Sequence, residues 1–129
     1  MQIFNILKLV FFVTLMCAGQ IFFKKTAIIV SKKVEKISNF SNLFDFFLTI
    51  ISTNYFFLAL VTYGLATFYW LYLLQSIPLS MAYPFTALAM VIIPMASSYF
   101  FNETLDDVFW VGASLIFMGI IIISFSSKS

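Results

Sequence analysis

The stretch from Ser80 to Phe101 runs for a full membrane thickness without a charge, yet it holds two prolines, Pro84 and Pro94. Tyr83 and Tyr99 are its only ionisable side chains. A hydrocarbon core about 30 Å thick needs roughly 20 apolar residues in helical form, and this run suffices. A proline inside a water-soluble helix costs about 3 kcal/mol. In lipid, neighbouring helices and hydroxyl groups re-satisfy the freed carbonyls, so the same residue is tolerated. At 100° per residue, Pro84, Ala87, Val91, Pro94 and Ser98 fall within about a quarter turn. One side of this helix is therefore slim and weakly hydrogen-bonded, while the other carries Met, Ile and Phe. It is expected to bend at Pro84 and Pro94 and to form the moving wall of a transport pathway.

The rest of the chain is equally apolar. Charged residues make up 9% of the 129, against about 25% in soluble domains, which excludes a globular enzyme with a polar shell. There is no His, and Cys17 is the single cysteine. A metal cluster, a disulfide framework and a thiol–imidazole pair are thereby excluded. No cofactor is implied. Seven lysines against five acids leave a net charge of +2, too little for nucleic acid. The expected class is an all-α membrane protein: one integral domain over residues 1–129 with four transmembrane helices.

The first span is read as Ile3–Phe23. A cleaved leader is the rival reading, but the apolar run continues past Cys17 to Phe23, too long for a signal core, and Met16 is not the small residue that lipoprotein cleavage wants. Lys8 lies about one turn inside, where its stem can snorkel to the interface. Lys24–Asn39 is strongly polar. In segment 40–53, Phe40, Leu43, Phe44, Phe47, Ile50 and Ile51 recur at helical spacing, opposite Ser41, Asn42, Asp45, Thr49 and Ser52. That pattern fits either a helix lying in the interface plane or an extension of the next span. Asn54–Leu74 is the second span and Ser80–Phe101 the third, joined by a short hairpin. An acidic turn follows, in which Asp106 or Asp107 starts the fourth helix, Val108–Phe125, by complementing its free N–H groups. Five lysines follow the first span, whereas Lys8 and Lys128 stand on the other side. The positive-inside rule puts the first loop in the cytoplasm.

No carboxylate lies within any span, which disfavours proton-driven exchange of the kind that uses a buried acid. No hydrolase nucleophile with its base is present, and no enzymatic role is expected. Gln20 and Lys24, four apart at the end of the first span, share a face. An amide below an ammonium suits a phosphate or sugar headgroup; lipid anchoring is the plainer role for Lys25. Tyr83, beside Pro84 and a turn from Ser80, is expected to face protein or a wet cavity, with Tyr63 a weaker candidate for the same space. Gly112 and Gly119 lie nearly above one another on the fourth helix with Leu115 and Ile116 between them. That spacing permits close helix approach in lipid and points to a dimer seam.

Ile77-Pro78-Leu79-Ser80-Met81-Ala82-Tyr83-Pro84, followed by Asn102-Glu103-Thr104-Leu105, resembles the third helix and acidic loop of the drug/metabolite transporter superfamily. Gly112, Leu115, Ile116, Gly119 and Ile120 match the dimerisation pattern of small multidrug resistance proteins, with Ala113 replacing a leucine. The resemblance covers nearly the whole chain and implies a small multidrug resistance-like bundle acting as a homodimer or with a similar four-helix partner. Two departures separate the chain from drug exporters. Their membrane-embedded glutamate corresponds to Met16, and their tryptophan three residues after the tyrosine corresponds to Thr86. Cys17-Ala18-Gly19-Gln20 through Lys24, with Ser80 through Pro84, is closer to the branch of EamA-like proteins that holds subunits proposed to flip undecaprenyl-phosphate-linked aminoarabinose. The resemblance implies a bacterial inner-membrane flippase, or flippase subunit, that moves a polyprenyl-phosphate-linked sugar by alternating access. Gln20 and Lys24 would meet phosphate; Tyr83 and Ser80 would meet sugar. Two rival readings are an exporter of a small solute or drug and a non-transporting partner of a membrane glycosyltransferase.

Overall fold

The computed structural model describes residues 3–36 and 43–126. The described residues form helices α1 (Ile3–Lys36), α2 (Leu43–Ile51), α3 (Asn54–Leu74), α4 (Leu79–Phe85), α5 (Ala89–Phe101) and α6 (Asp107–Phe125), with a 3-10 turn over Thr86–Leu88 between α4 and α5. Four segments are long and apolar enough to cross a membrane: α1, α3, α4 together with α5, and α6. The protein is an all-helical, multi-pass membrane protein.

The first helix is longer than its predicted span. It continues past Phe23 to Lys36, because Lys24–Lys36 contains no proline or glycine and its hydroxyls turn back on the helix. Thr26 Oγ1, for example, donates to the Phe22 carbonyl at 2.9 Å. At 1.5 Å per residue the helix is about 51 Å long, longer than the roughly 30 Å of an apolar layer.

Of the two readings of segment 40–53, a separate helix is the one present. Thr53 is extended (φ −87°, ψ 125°) and parts α2 from α3; residues 40–42 lie outside the described ones. Thr53 is buried, whereas Phe44, Phe47, Leu48 and Ile51 are exposed. The apolar stripe of α2 thus points away from the protein, as a helix lying among headgroups and acyl chains requires.

α1 and α3 form the most extensive helix pair. They run antiparallel with aromatic rungs between them. Phe12 stacks on Trp70 with ring centroids 4.7 Å apart, Phe11 meets Tyr69 edge-on at 5.3 Å, and Phe23 lies 5.1 Å from Tyr63. Leu9, Val13 and Leu73 are fully buried in the same seam. Gly19 lies close against α3: a Cβ there would sit 2.6 Å from two ring carbons of Tyr63. Any other residue would push that ring away.

The third span is interrupted once. Pro84 leaves the Ser80 carbonyl without its usual donor, and the 3-10 turn begins two residues later. Thr86 Oγ1 donates to the Tyr83 carbonyl at 2.6 Å within this turn. Pro94 lies inside α5, which continues regularly around it. The most buried residues of this span are Ala82, Phe85, Ala89 and Ser97. They lie roughly opposite the slim face chosen from the wheel, whose five residues are half-buried. A line of mostly small residues around Phe85 packs inward, while Met90, Met95, Tyr99 and Phe100 are exposed.

Asp106 caps α6, accepting from the Phe109 N–H at 3.2 Å. Along α6 only Ala113 and Ile120 are buried. Ile116 also packs against the core, while Leu115 is exposed. A Cβ added at Gly112 or Gly119 would meet nothing within 4 Å.

Candidate functional site

A groove of about 670 Å³ runs between α1 and the proline-containing span. Phe12, Met16 and Gln20 form one wall, a single face of α1 at four-residue spacing, and Trp70 of α3 closes one end. The facing wall runs from Tyr83 and Thr86 through Ala89 and Met90 to Pro94. Most of this surface is hydrocarbon, thioether or aromatic; Gln20, Tyr83, Thr86 and the Trp70 indole carry the polar side-chain atoms. The groove is open along its side rather than enclosed. A chain-like apolar ligand could therefore lie partly in it and partly in the surrounding lipid.

Four of the five predicted binding residues sit on or next to this groove, in different roles. Gln20 lines it, and its Nε2 donates to the Tyr63 hydroxyl. Tyr63 is not a wall residue. It stands behind Gln20, wedged against Gly19 and Phe23, and fixes the direction of the amide. Tyr83 lines the groove and is 65% exposed. It also borders a second depression of about 510 Å³, shared with Leu79, Ser80 and Pro84. Ser80 is thus one step away from Gln20's groove rather than inside it.

Lys24 is the fifth, and it does not join Gln20. One turn further along α1, its Nζ lies 3.4 Å from Glu103 Oε1, in the connection between α5 and α6. Both side chains are about half exposed, at 47% and 44%. Exposed pairs of this kind contribute on the order of 0.2–1 kcal/mol. On the opposite side of the bundle, Lys8 Nζ sits 4.6 Å from the Phe4 ring centroid and 5.3 Å from that of Tyr72. Among the described residues, no three His, Cys, Asp or Glu side chains converge as a metal site would require.

Sequence reasoning passed over Thr86, Trp70 and Glu103 as members of the site. Thr86 follows Tyr83 by three, so helical spacing carried a signal. Trp70 and Glu103 reach the site only through tertiary packing, and no local pattern marks them. At Met16, the position where drug exporters carry a membrane glutamate, the groove wall presents a thioether in place of a carboxylate.

Comparison with known proteins agrees with this architecture. The model of the EamA-like transporter family matches residues 2–125. The chain belongs to the EamA-like transporter family. It is 31% identical to the probable 4-amino-4-deoxy-L-arabinose-phosphoundecaprenol flippase subunit ArnE of Aeromonas salmonicida, over 92% of this chain and 96% of that one. Proteins of the same name from Proteus mirabilis and Yersinia pestis are 33% and 37% identical over 54% and 52% of this chain, and 61% and 59% of theirs. No solved structure matches the chain.

Proposed function

We propose that this protein is a subunit of a bacterial inner-membrane flippase that moves a polyprenyl-phosphate-linked sugar between leaflets. The observation that carries the reading is the side-open groove, with an apolar wall for the lipid and Gln20, Tyr83 and Thr86 for a polar head. The full-length similarity to a protein named as an aminoarabinose-phosphoundecaprenol flippase subunit supports it. So does Met16 in the groove wall, which removes the acid that a proton-coupled drug exporter uses there. The polyprenyl tail stays in lipid while the head passes along α1. Lys24 meets the phosphate, Gln20 orients it, and Tyr83 with Ser80 meets the sugar.

Alternating access in this reading comes from bending of the third span around Thr86–Leu88, with Pro84 the main hinge and Pro94 a secondary soft point. The work is carriage rather than catalysis. The outward line of Gly112, Leu115 and Gly119 on α6 supports assembly with a second four-helix subunit, identical or similar. With the first loop cytoplasmic, Lys24 and the overhanging lysines of α1 face the side where anionic lipid attracts them.

The test is flipping of undecaprenyl-phosphate aminoarabinose in vesicles holding the protein and its partner. Lys24→Ala is expected to lower translocation at least about tenfold, the loss of a charge-assisted contact to phosphate, with an unchanged thermal midpoint. Unaltered flipping by that variant would remove Lys24 from the pathway.

A further inference from the structure

The contact between Lys24 and Glu103 is placed where a moving transporter would need a catch. Lys24 lies one turn, about 6 Å, beyond Gln20, the last groove residue contributed by α1 in that direction. Glu103 lies beyond Pro94, the last contributed by α5, and follows directly on Asn102, whose left-handed backbone (φ 55°) ends that helix. The pair therefore sits past one end of the groove and ties α1 to the far end of α5. At the other end of α5 stands the 3-10 turn over Thr86–Leu88. A helix held by a bond at one end and a soft turn at the other is free to swing once the bond is released.

The bond itself is of an exchangeable kind. A half-exposed lysine is a compact point charge with three rotatable donors and no fixed preference for a planar carboxylate. The phosphodiester of a polyprenyl-phosphate-linked sugar carries one negative charge, as Glu103 does, but brings two free oxygens where a single Glu103 oxygen is in contact now. Charge-assisted bonds to it are strong, and the tail and sugar held beside it favour its side of the exchange. We propose that Glu103 is a built-in stand-in for the cargo's phosphate: it occupies Lys24 while the groove is empty, and the phosphate of an incoming polyprenyl phosphate displaces it. Displacement does two things at once. It binds the cargo at the end of the groove, and it uncouples α5 from α1, so that the third span swings about Thr86–Leu88. Glu103 is thus a specificity-setting competitor that excludes anions too weak to take Lys24 from it. This rests on the flippase reading, which supplies the phosphate.

The test uses the full chain in phosphatidylcholine nanodiscs, with nitroxide labels at exposed positions 27 and 99 (Ala27→Cys and Tyr99→Cys, with Cys17→Ala). Undecaprenyl phosphate is titrated in, and inorganic phosphate in parallel. Undecaprenyl phosphate is expected to shift the α1–α5 distance distribution. Glu103→Gln is expected to raise the population of the shifted distance about two- to fivefold without lipid, and to bind undecaprenyl phosphate about two- to fivefold more tightly, the gain from removing a weak competitor. A gain in affinity is not what loss of a purely structural brace would produce. Lys24→Gln is expected to raise the shifted population by a similar few-fold, but to bind the lipid about tenfold more weakly. Binding by the unaltered chain with no change in distance, or equal affinity in Glu103→Gln, would overturn the exchange. A distance shift with inorganic phosphate but none with the lipid would also overturn it. Absence of lipid binding in all three proteins would instead sink the flippase reading, and the exchange with it.

Discussion

The α1–α3 pair and the half of the bundle built from α4, α5 and α6 draw on the same apolar alphabet and share one core, yet they are joined in different ways. The pair is knitted by stacked rings, by fully buried Leu9, Val13 and Leu73, and by a glycine against a tyrosine ring. The other half has a helix interrupted at Thr86–Leu88 and a last helix with two buried side chains. In lipid, association owes little to the hydrophobic effect, because acyl chains are as apolar as leucine; close packing and hydrogen bonds decide it. Density of packing therefore reports which half is fixed. We take α1 and α3 as the frame and propose that the proline-containing span, softened at Thr86–Leu88, moves against it with α6.

The sharpest way to break this contrast is to insert bulk at a tight contact of the frame. Gly19→Leu should drive the Tyr63 ring off α1 and cost about 3 kcal/mol, at the upper end of ordinary overpacking. The expected readout is a large fall in the thermal midpoint, or loss of folded protein in detergent. A midpoint that stays where the parent's is would mean that α1 and α3 are not rigidly joined.

A matched pair of truncations comes next in size. Leu73→Ala opens a cavity in the frame. In water such a change costs about 2–5 kcal/mol; here the transfer part largely cancels against lipid and the cavity part stays, giving about 1–3 kcal/mol. Leu115→Ala, on the exposed line of α6, should cost less than about 0.5 kcal/mol in the isolated subunit. Denaturation of both variants in the same mixed micelles checks the difference. Equal losses would place α6 in the frame. A loss at Leu115 that appears only at high subunit concentration would instead report a seam between subunits.

The smallest expected effect tests the mobile half. Pro84→Ala returns an N–H to the Ser80 carbonyl, a gain of about 1 kcal/mol, so this variant should be slightly more stable and transport a few-fold more slowly. Pro94→Ala should change less, since α5 is already regular around Pro94. Transport rates in vesicles rank the two; a larger effect at Pro94 would move the hinge.

Much of this frame was readable in the chain. The uncharged runs at 54–74, 80–101 and 108–125 are long enough for one reading, and the acidic pair Asp106–Asp107 announces the start of α6, though only the structure shows that Asp106 is the cap. The end of α1 was not readable from polarity alone, because lysine is a good helix former and nothing between Phe23 and Lys36 stops the turn. Helix α2 was readable as amphipathic but not as separate, since the break rests on the extended backbone of Thr53. At the site, Gln20 and Tyr83 were found because both are polar in an apolar run. That Gln20 turns to Tyr63 while Lys24, on the same face, turns to Glu103 was invisible. One pattern of spacing fixes direction around a single helix but not which neighbour stands there.

The chain by itself determined that four segments enter a bilayer and that none carries a buried acid. Both follow from burial of side chains in hydrocarbon, a property each segment has alone. Only tertiary structure decided that an open groove lies along Phe12, Met16 and Gln20, that Gly19 sits tight against the Tyr63 ring, and that Lys24 is held by a carboxylate. Those are relations between helices far apart in sequence. In a lipid medium they are set by shape and by the few available polar partners, and neither is written in any one stretch.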